Sequence, residues 1–384
     1  MDKKLVYFDN ASTSFPKAPI LQESFCNFLD NAGANASRGV YSLALESGRI
    51  LHRCRFLLSQ LVSTEPKRIL FHLNATHAIN VALQGFLKRG DIVVTTQMEH
   101  NAIKRTLNAL KEKIGIEIRE ITTDEFGNIS LQSAKELCKG ARMLACVHVN
   151  NVNGATIPLE ELSQIAKDEN LCFLLDASQS VGVLPVDNIL KKVDLIAFSG
   201  HKGLLSTMGV GVLGLSKEFD EDLLEPLIFG GTGSLSEEEY QPRFLPDKFE
   251  SGTINMHGIT NLKDSLEWIY SYGIYNIYNH KANLKEYLYE KLQTINNINI
   301  YSTQGTSGAN LSFIIKNKSI SDVGFLLSDT YNICIRIGLH CSPATHKCLD
   351  TLKYGGTIRV SIGAFNTKDE IDYLIYAIKE IEAK

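Results

Sequence analysis

Val193-Asp194-Leu195-Ile196-Ala197-Phe198-Ser199-Gly200-His201-Lys202-Gly203 is the stretch that decides the fold of this 384-residue chain. Its first half is almost wholly apolar, as in a strand buried on both faces of a parallel sheet. It then breaks into Ser-Gly-His-Lys-Gly, where two glycines allow a tight turn around the His-Lys pair. A lysine at a buried strand end costs free energy unless it is paired or covalently used. Burial also lowers its ammonium pKa, which is how lysines become Schiff-base formers. The plain alternative is a lysine with a buried stem whose head reaches water. Asp176 favours the first reading. It lies 26 residues upstream and ends another apolar run, Leu171-Cys172-Phe173-Leu174-Leu175-Asp176.

One strand end carrying Lys and another carrying Asp meet the needs of pyridoxal 5'-phosphate. The lysine holds its aldehyde, and the aspartate keeps its ring nitrogen protonated so that the ring accepts electrons. In an open α/β sheet, ligands gather at the carboxyl ends of the strands, where both residues fall. The words Asp176-Ala177-Ser178-Gln179 and Ser199-Gly200-His201-Lys202 resemble the two central motifs of the class V aminotransferase family of fold-type I pyridoxal-phosphate enzymes. The resemblance covers essentially the whole chain. It implies an α/β fold: a large domain (14–257) with a mostly parallel sheet between helices, and a smaller α+β C-terminal domain (258–384) joined by residues 1–13.

The pattern along the chain agrees with that layout. Helical spacing marks Ala18–Leu29 and Ser42–Leu61. From residue 68 onward, apolar runs alternate with helical patterns, as in a doubly wound domain. Strands are expected at 69–71, 91–96, 145–149 and 171–176, with 210–215 antiparallel. Two amphipathic helices, 259–272 and 276–295, lead to strands near 298–302 and 310–316. No repeat or low-complexity segment interrupts the chain.

Hydrophobic content of 44% and charged content of 21% are ordinary for a globular protein, and a net charge of −4 leaves no basic footprint for nucleic acid. No apolar run reaches membrane-spanning length, and no signal-peptide core follows the first residues. Eight scattered cysteines read as cytosolic thiols rather than a disulfide framework. A cytoplasmic protein with neither membrane nor nucleic-acid partners is expected.

The family resemblance implies further roles. Thr76 and His77, at the start of a helix that Asn74 or Thr76 would cap, take the cofactor phosphate, with Ser199 and His201 beside them. His100 stacks on the cofactor ring and serves proton transfer. Gln179 hydrogen-bonds the ring's phenolate oxygen, and Asn151 holds that oxygen or the substrate carboxylate. Tyr7–Pro16, otherwise a plain loop, runs along the active-site rim. Thr253 reaches the phosphate bound by the other subunit of a homodimer, and Arg38 reaches the active site. Two positions depart from the family pattern: Ser37 stands where many members have His, and Asn101 stands where the Suf-type enzymes have a second His.

Ile333-Cys334-Ile335-Arg336-Ile337-Gly338-Leu339-His340-Cys341-Ser342-Pro343, with Thr357-Ile358-Arg359-Val360-Ser361 after it, resembles the cysteine desulfurases. The likeness is nearest to their Suf-type or selenocysteine-lyase-like branch. Taken alone, Cys341 reads as a buried small thiol. A metal cluster of His340, Cys341, His346 and Cys348 matches no standard zinc spacing, so no metal is expected. The resemblance makes Cys341 the nucleophile that receives sulfur, its thiolate favoured by His340. Arg359 clamps the substrate carboxylate, and Arg336 either assists or forms a surface ion pair. Lys202 carries the cofactor and moves the α-proton. The substrate is L-cysteine or L-selenocysteine, with a sulfur-acceptor protein as a possible partner. The alternatives are another enzyme of the family (an aminotransferase, a kynureninase-like hydrolase or a selenocysteine lyase) and a non-catalytic sulfur carrier.

Overall fold

The chain opens on β1 (Val6–Tyr7) and the helices α1 (Leu21–Asn31) and α2 (Ser42–Val62), in a computed structural model that describes residues 4–36, 39–305 and 308–383. Seven strands then build the large sheet: β2 (Ile69–His72), β3 (Ile92–Thr96), β4 (Glu117–Ile121), β5 (Met143–Val147), β6 (Cys172–Asp176), β7 (Leu195–Ser199) and β8 (Gly211–Leu215). Their order is β2-β8-β7-β6-β5-β3-β4. Pairing is parallel from β4 through β7, and β8 runs antiparallel to both of its neighbours. Every residue of β5, β6 and β7 is buried, which is why these strands read as continuous apolar runs.

Helices cover both faces. On one, α3 (Ala75–Phe86) and α4 (Asn101–Ile114) pack on Leu70, Val93, Ala145, Leu174, Leu195 and Leu213. On the other, α1, α2, α6 (Leu159–Asp168) and α7 (Met256–Tyr272) enclose Val94, Leu144, Phe173, Leu175, Ile196 and Phe198. Phe173, Leu174 and Leu175 thus alternate between faces, the period of two expected of a strand. The short α5 (Leu131–Leu137) packs beside α6 and β4.

After α8 (Ile274–Gln293), a second, antiparallel sheet forms with order β12-β13-β10-β9. Its strands are β9 (Ile298–Ile300), β10 (Asn310–Ile315), β12 (Arg336–Gly338) and β13 (Thr357–Ser361). Strand β11 (Ile333–Cys334) leaves this sheet to pair in parallel with β1, so the N-terminus is tied to the C-terminal half. Helices α8, α9 (Ile320–Asp329) and α11 (Lys368–Ala383) bury Leu288, Val323 and Ile378 with Phe313 and Val360 in an apolar cluster of their own. The short α10 (Pro343–Cys348) follows the cysteine loop.

One buried ion pair anchors the segment before α7. Arg55 on α2 donates to both carboxylate oxygens of Glu250, at 3.0 and 2.5 Å, and Glu250 also accepts the Phe71 N–H at 2.6 Å. Both side chains are 7% exposed. Removing one partner strands the other charge, so Glu250→Ala is expected to cost about 3–5 kcal/mol. Urea unfolding checks this, and a loss below about 1 kcal/mol would contradict it.

Candidate active site

The register of the large sheet brings three strand ends together, with Val147 opposite Asp176 and Asp176 opposite Ala197. Beyond β7 the chain turns at Gly200, whose N–H donates to Val210 O at 3.0 Å, and presents Lys202. Glycine is required at 203, because a Cβ there would sit 2.2 Å from the Val181 carbonyl oxygen. The carbonyl just before Lys202, that of His201, accepts from the Ser14 N–H, the Thr13 and Ser14 hydroxyls and the Lys17 ammonium, at 3.0–3.1 Å. The N-terminal loop therefore clamps the peptide that leads into the lysine.

Lys202 borders a cavity of about 270 Å³. Asp176, Thr76, His100, Asn151, Gln179, Ser199 and His201 line it with Lys202, so eight of the expected site residues share one space. Burial pushes the Lys202 ammonium below its ordinary pKa; Asp176 opposes the shift and Arg359 reinforces it. Asp176 is 3% exposed, and its Oδ1 accepts the Ser178 N–H at 3.0 Å. At the start of α3, Asn74 is the capping residue, accepting the His77 N–H at 2.9 Å, and the Ser199 hydroxyl accepts the Ala75 N–H at 2.9 Å.

His100 caps α4, its Nδ1 accepting the Ala102 N–H at 3.0 Å. A neutral imidazole bound in this way carries its proton on Nε2. Burial holds His100 below its usual pKa, with Asp176 acting the other way. The ring is thus neutral at pH 7, with Nε2–H as its free donor. His201 is likewise held down to about 4, by burial first and then by Lys202 and Lys17.

Cys341 sits on a loop with two consecutive left-handed residues, His340 (φ 49°) and Cys341 (φ 59°). Non-glycine residues adopt this conformation only where the surroundings hold it. Asn151 does the holding. Its Nδ2 donates to His340 O at 2.6 Å, and its Oδ1 accepts from the Ser342 hydroxyl at 2.7 Å. The Asn101 N–H adds a bond to Cys341 O at 3.0 Å. One N–H and the oxygen of the Asn151 amide thus engage the cysteine loop, while the residue also lines the cavity.

The thiol of Cys341 is exposed, and the Arg336 Nη2 donates to its Sγ at 3.3 Å. His340 does not take the role expected from its adjacency to the thiol. Its ring is turned inward at 3% exposure, with Nε2 on the Thr357 carbonyl and hydroxyl, and burial drives its pKa to about 2. The favourable charge beside Cys341 comes from Arg336, which otherwise donates to Ser12 Oγ at 2.8 Å rather than joining a surface ion pair.

Arg359 on β13 is 1% exposed. It donates to Asn151 O at 2.9 Å, Asp9 Oδ1 at 2.6 Å and Ser12 Oγ at 3.1 Å, while its Nε has no acceptor among the described residues. Asp9 and Ser12 thus belong to the site, on the loop that the resemblance places along its rim without singling out either residue. Glu99 was also missed. It lies fully buried, accepting from the Thr96 hydroxyl at 2.6 Å and the Val147 N–H at 2.9 Å, and burial pushes its pKa up to about 8.

Cys341, Arg336 and Arg359 stand outside the lining of this cavity, and His77 and Thr253 are not brought to it either. The His77 ring packs on His72 at 4.9 Å, and its Nδ1 meets the Leu73 N–H at 3.5 Å, because only its backbone joins the first turn of α3. Thr253 lies exposed on the loop before α7. Arg38, with the departure at Ser37, lies outside the described residues.

Several buried histidines make the fold acid-sensitive. Burial lowers His72 to about 3 and His148 and His346 to about 4, against about 6.5 when unfolded. Below pH 6.5 the unfolded chain binds protons that the folded chain does not. Stability is therefore complete above pH 6.5 and falls as pH drops toward 4. Each group removes up to about 2 kcal/mol by pH 5. Urea midpoints at pH 7 and pH 5 are expected to differ markedly, and equal midpoints would contradict this.

The site's residues fit a bound pyridoxal phosphate: an amine of lowered basicity, a buried carboxylate one strand away, and a helix start whose cap residue and Thr76 face the same cavity. Comparisons with known proteins point the same way. The chain matches the family described as Aminotransferase class-V over residues 6–374. It is 33% identical to a probable cysteine desulfurase of Methanothermobacter thermautotrophicus, covering 98% of this chain and 94% of the relative. It is 30% identical to a cysteine desulfurase of Haloferax volcanii, covering 97% and 88%. The structure of the apo cysteine desulfurase from Thermococcus onnurineus NA1 superposes with a TM-score of 0.92 at 30% identity, covering 99% of this chain and 95% of that one. The chain belongs to the class V aminotransferase family, whose members use pyridoxal phosphate.

Proposed function

We propose that this chain is a pyridoxal-phosphate cysteine desulfurase that converts L-cysteine and the Cys341 thiol to L-alanine and a Cys341 persulfide. The observation that carries the reading is an exposed thiol, held on a strained loop and contacted by a guanidinium, in electrostatic reach of Lys202. Bound pyridoxal phosphate supplies an electron-accepting ring and an aldehyde for a primary amine. Lys202 would hold it, and Asp176 would keep its ring nitrogen protonated. Thr76, Ser199 and His201 would hold its phosphate, while Gln179, which donates to Ala11 O at 2.9 Å, lines the same cavity.

The chain's own groups then divide the work. Lys202 Nζ accepts the substrate's α-proton and returns one to the product. The Arg359 guanidinium, its Nε without an acceptor among the described residues, takes the substrate carboxylate, and Arg336 donates to Cys341 Sγ and orients it. Sγ takes the sulfur: the bond from that sulfur to the substrate β-carbon breaks, and an S–S bond forms. His100, which lines the same cavity as Lys202, offers its Nε2–H as a proton donor. Incubation of the purified enzyme with L-cysteine and reductant should release alanine and sulfide in equal amounts. Alanine formed only with an added keto acid, and no sulfide, would assign an aminotransferase instead.

We place the division between the two lobes at Gly273, later than residue 258, because Ile259, Leu262, Leu266 and Ile269 of α7 join the large-sheet cluster. Eight free thiols suit a reducing compartment. A homodimer with shared sites is supported by large apolar side chains left exposed on loops of the large domain. Val40 is 94% exposed, and Tyr41, Phe229 and Tyr240 are also open. A cleft of about 600 Å³ includes Leu51, Thr232 and both sequence neighbours of Thr253, Gly252 and Ile254.

Thr253→Ala is expected to weaken cofactor retention by about 1.5–3 kcal/mol, the worth of a hydrogen bond to a charged group. Hybrids of Thr253→Ala and Lys202→Ala protomers would carry both lesions in one site and leave the other intact, keeping about half of the wild-type activity per dimer. A fully active monomer would rule out shared sites.

A further inference from the structure

We propose that the chain binds a water-sized monovalent anion of the chloride class in a second cavity, behind Lys202 and against Lys281. This space, about 20 Å³, lies between α8 and the back of the Lys202 turn, and its wall includes Lys202, Lys281, Asn10, Ser14, Gln179 and Asn310. About 10–15 Å³ is enough for one water molecule, so phosphate, sulfate and carboxylates are too large. Two lysines border the space and no Asp or Glu does.

Lys281 is the unusual member. It is 4% exposed on α8, and no hydrogen bond or ion pair reaches its ammonium from any described residue. Burial lowers its pKa only to about 8, so at pH 7 it remains mostly charged. A buried charge without a protein partner is balanced by water or by a counter-ion in the space it borders. The side-chain donors around it point elsewhere, Gln179 Nε2 to Ala11 O at 2.9 Å, Asn310 Nδ2 to Asn151 O at 3.5 Å and Ser14 Oγ to His201 O at 3.1 Å, and none of the lining oxygens accepts from Lys281 among the described residues. What fits the size, the sign and the missing partner together is a small anion. This site is independent of the desulfurase reading, since it rests on Lys281 and the cavity alone.

Crystals of the cofactor-loaded enzyme soaked in bromide are expected to show an anomalous peak within hydrogen-bond reach of Lys281 Nζ. In solution, exchanging gluconate for chloride at constant ionic strength should raise the melting midpoint by about 2 °C at a tenfold excess over the dissociation constant. Lys281→Met should lose that chloride response while keeping the near-visible cofactor spectrum. Water density without an anomalous peak would overturn the assignment. So would a chloride response that persists in Lys281→Met, or equal wild-type midpoints in the two salts. The bromide measurement uses the wild-type chain and decides the question even where Lys281→Met does not fold.

Discussion

Replacing Lys202 with alanine is expected to abolish the near-visible absorbance of the lysine-held cofactor and reduce turnover by at least about 10²–10⁴-fold, the contribution of a positioned proton-transfer group. The cause is specific to this position. Burial lowers the basicity of Lys202, so more of it is free amine at neutral pH than for an exposed lysine. The bonds to the His201 carbonyl fix the peptide from which it projects. Cofactor should still associate weakly, through the α3 start and Asp176, and be removed by dialysis. Borohydride reduction of the wild type should fix the cofactor's mass on the peptide containing Lys202, and Lys202→Ala should remain unlabelled. An unchanged absorbance band in the variant would move the attachment to another lysine.

Cys341→Ala is expected to separate binding from sulfur transfer. The variant keeps Lys202, Asp176 and His100, so its cofactor spectrum should match the wild type and should still respond to L-cysteine. Alanine release should fall by more than about 10⁴-fold, the scale seen when a nucleophile is removed from an otherwise intact site. Cys348→Ala is the control. Its thiol sits on α10 and is turned to Gln97 O at 3.7 Å, away from the cavity, so near wild-type turnover is expected. Wild-type rates in Cys341→Ala would keep the fold and the cofactor but pass the activity to a lyase that does not use this thiol.

The central strands were legible because burial on both faces leaves continuous apolar runs, and Lys202, Asp176 and Ser199 were legible because they end those runs. Strand β4 (Glu-Ile-Arg-Glu-Ile) was not singled out. It lies at the sheet edge, half-exposed and charged, and carries no such signature. The cysteine loop was only half legible. Its sequence shows a thiol beside a histidine, but two left-handed residues in succession bury the imidazole and expose the thiol. The partners that matter come from far away along the chain, with Asn151, Asp9 and Ser12 meeting Arg336, Arg359 and Cys341 only in the folded state. Lys281 reads as one more residue of an amphipathic helix, and only the packing shows that it has no partner among the described residues.

The most direct test is to treat the purified, cofactor-loaded enzyme with L-cysteine, trap it with an alkylating probe and map the modified peptides by mass. A persulfide confined to the peptide containing Cys341, formed in step with alanine and absent from Cys341→Ala, is the expected result. Alanine formed with no persulfide on Cys341, or with the persulfide on Cys348 instead, would contradict the proposed desulfurase chemistry.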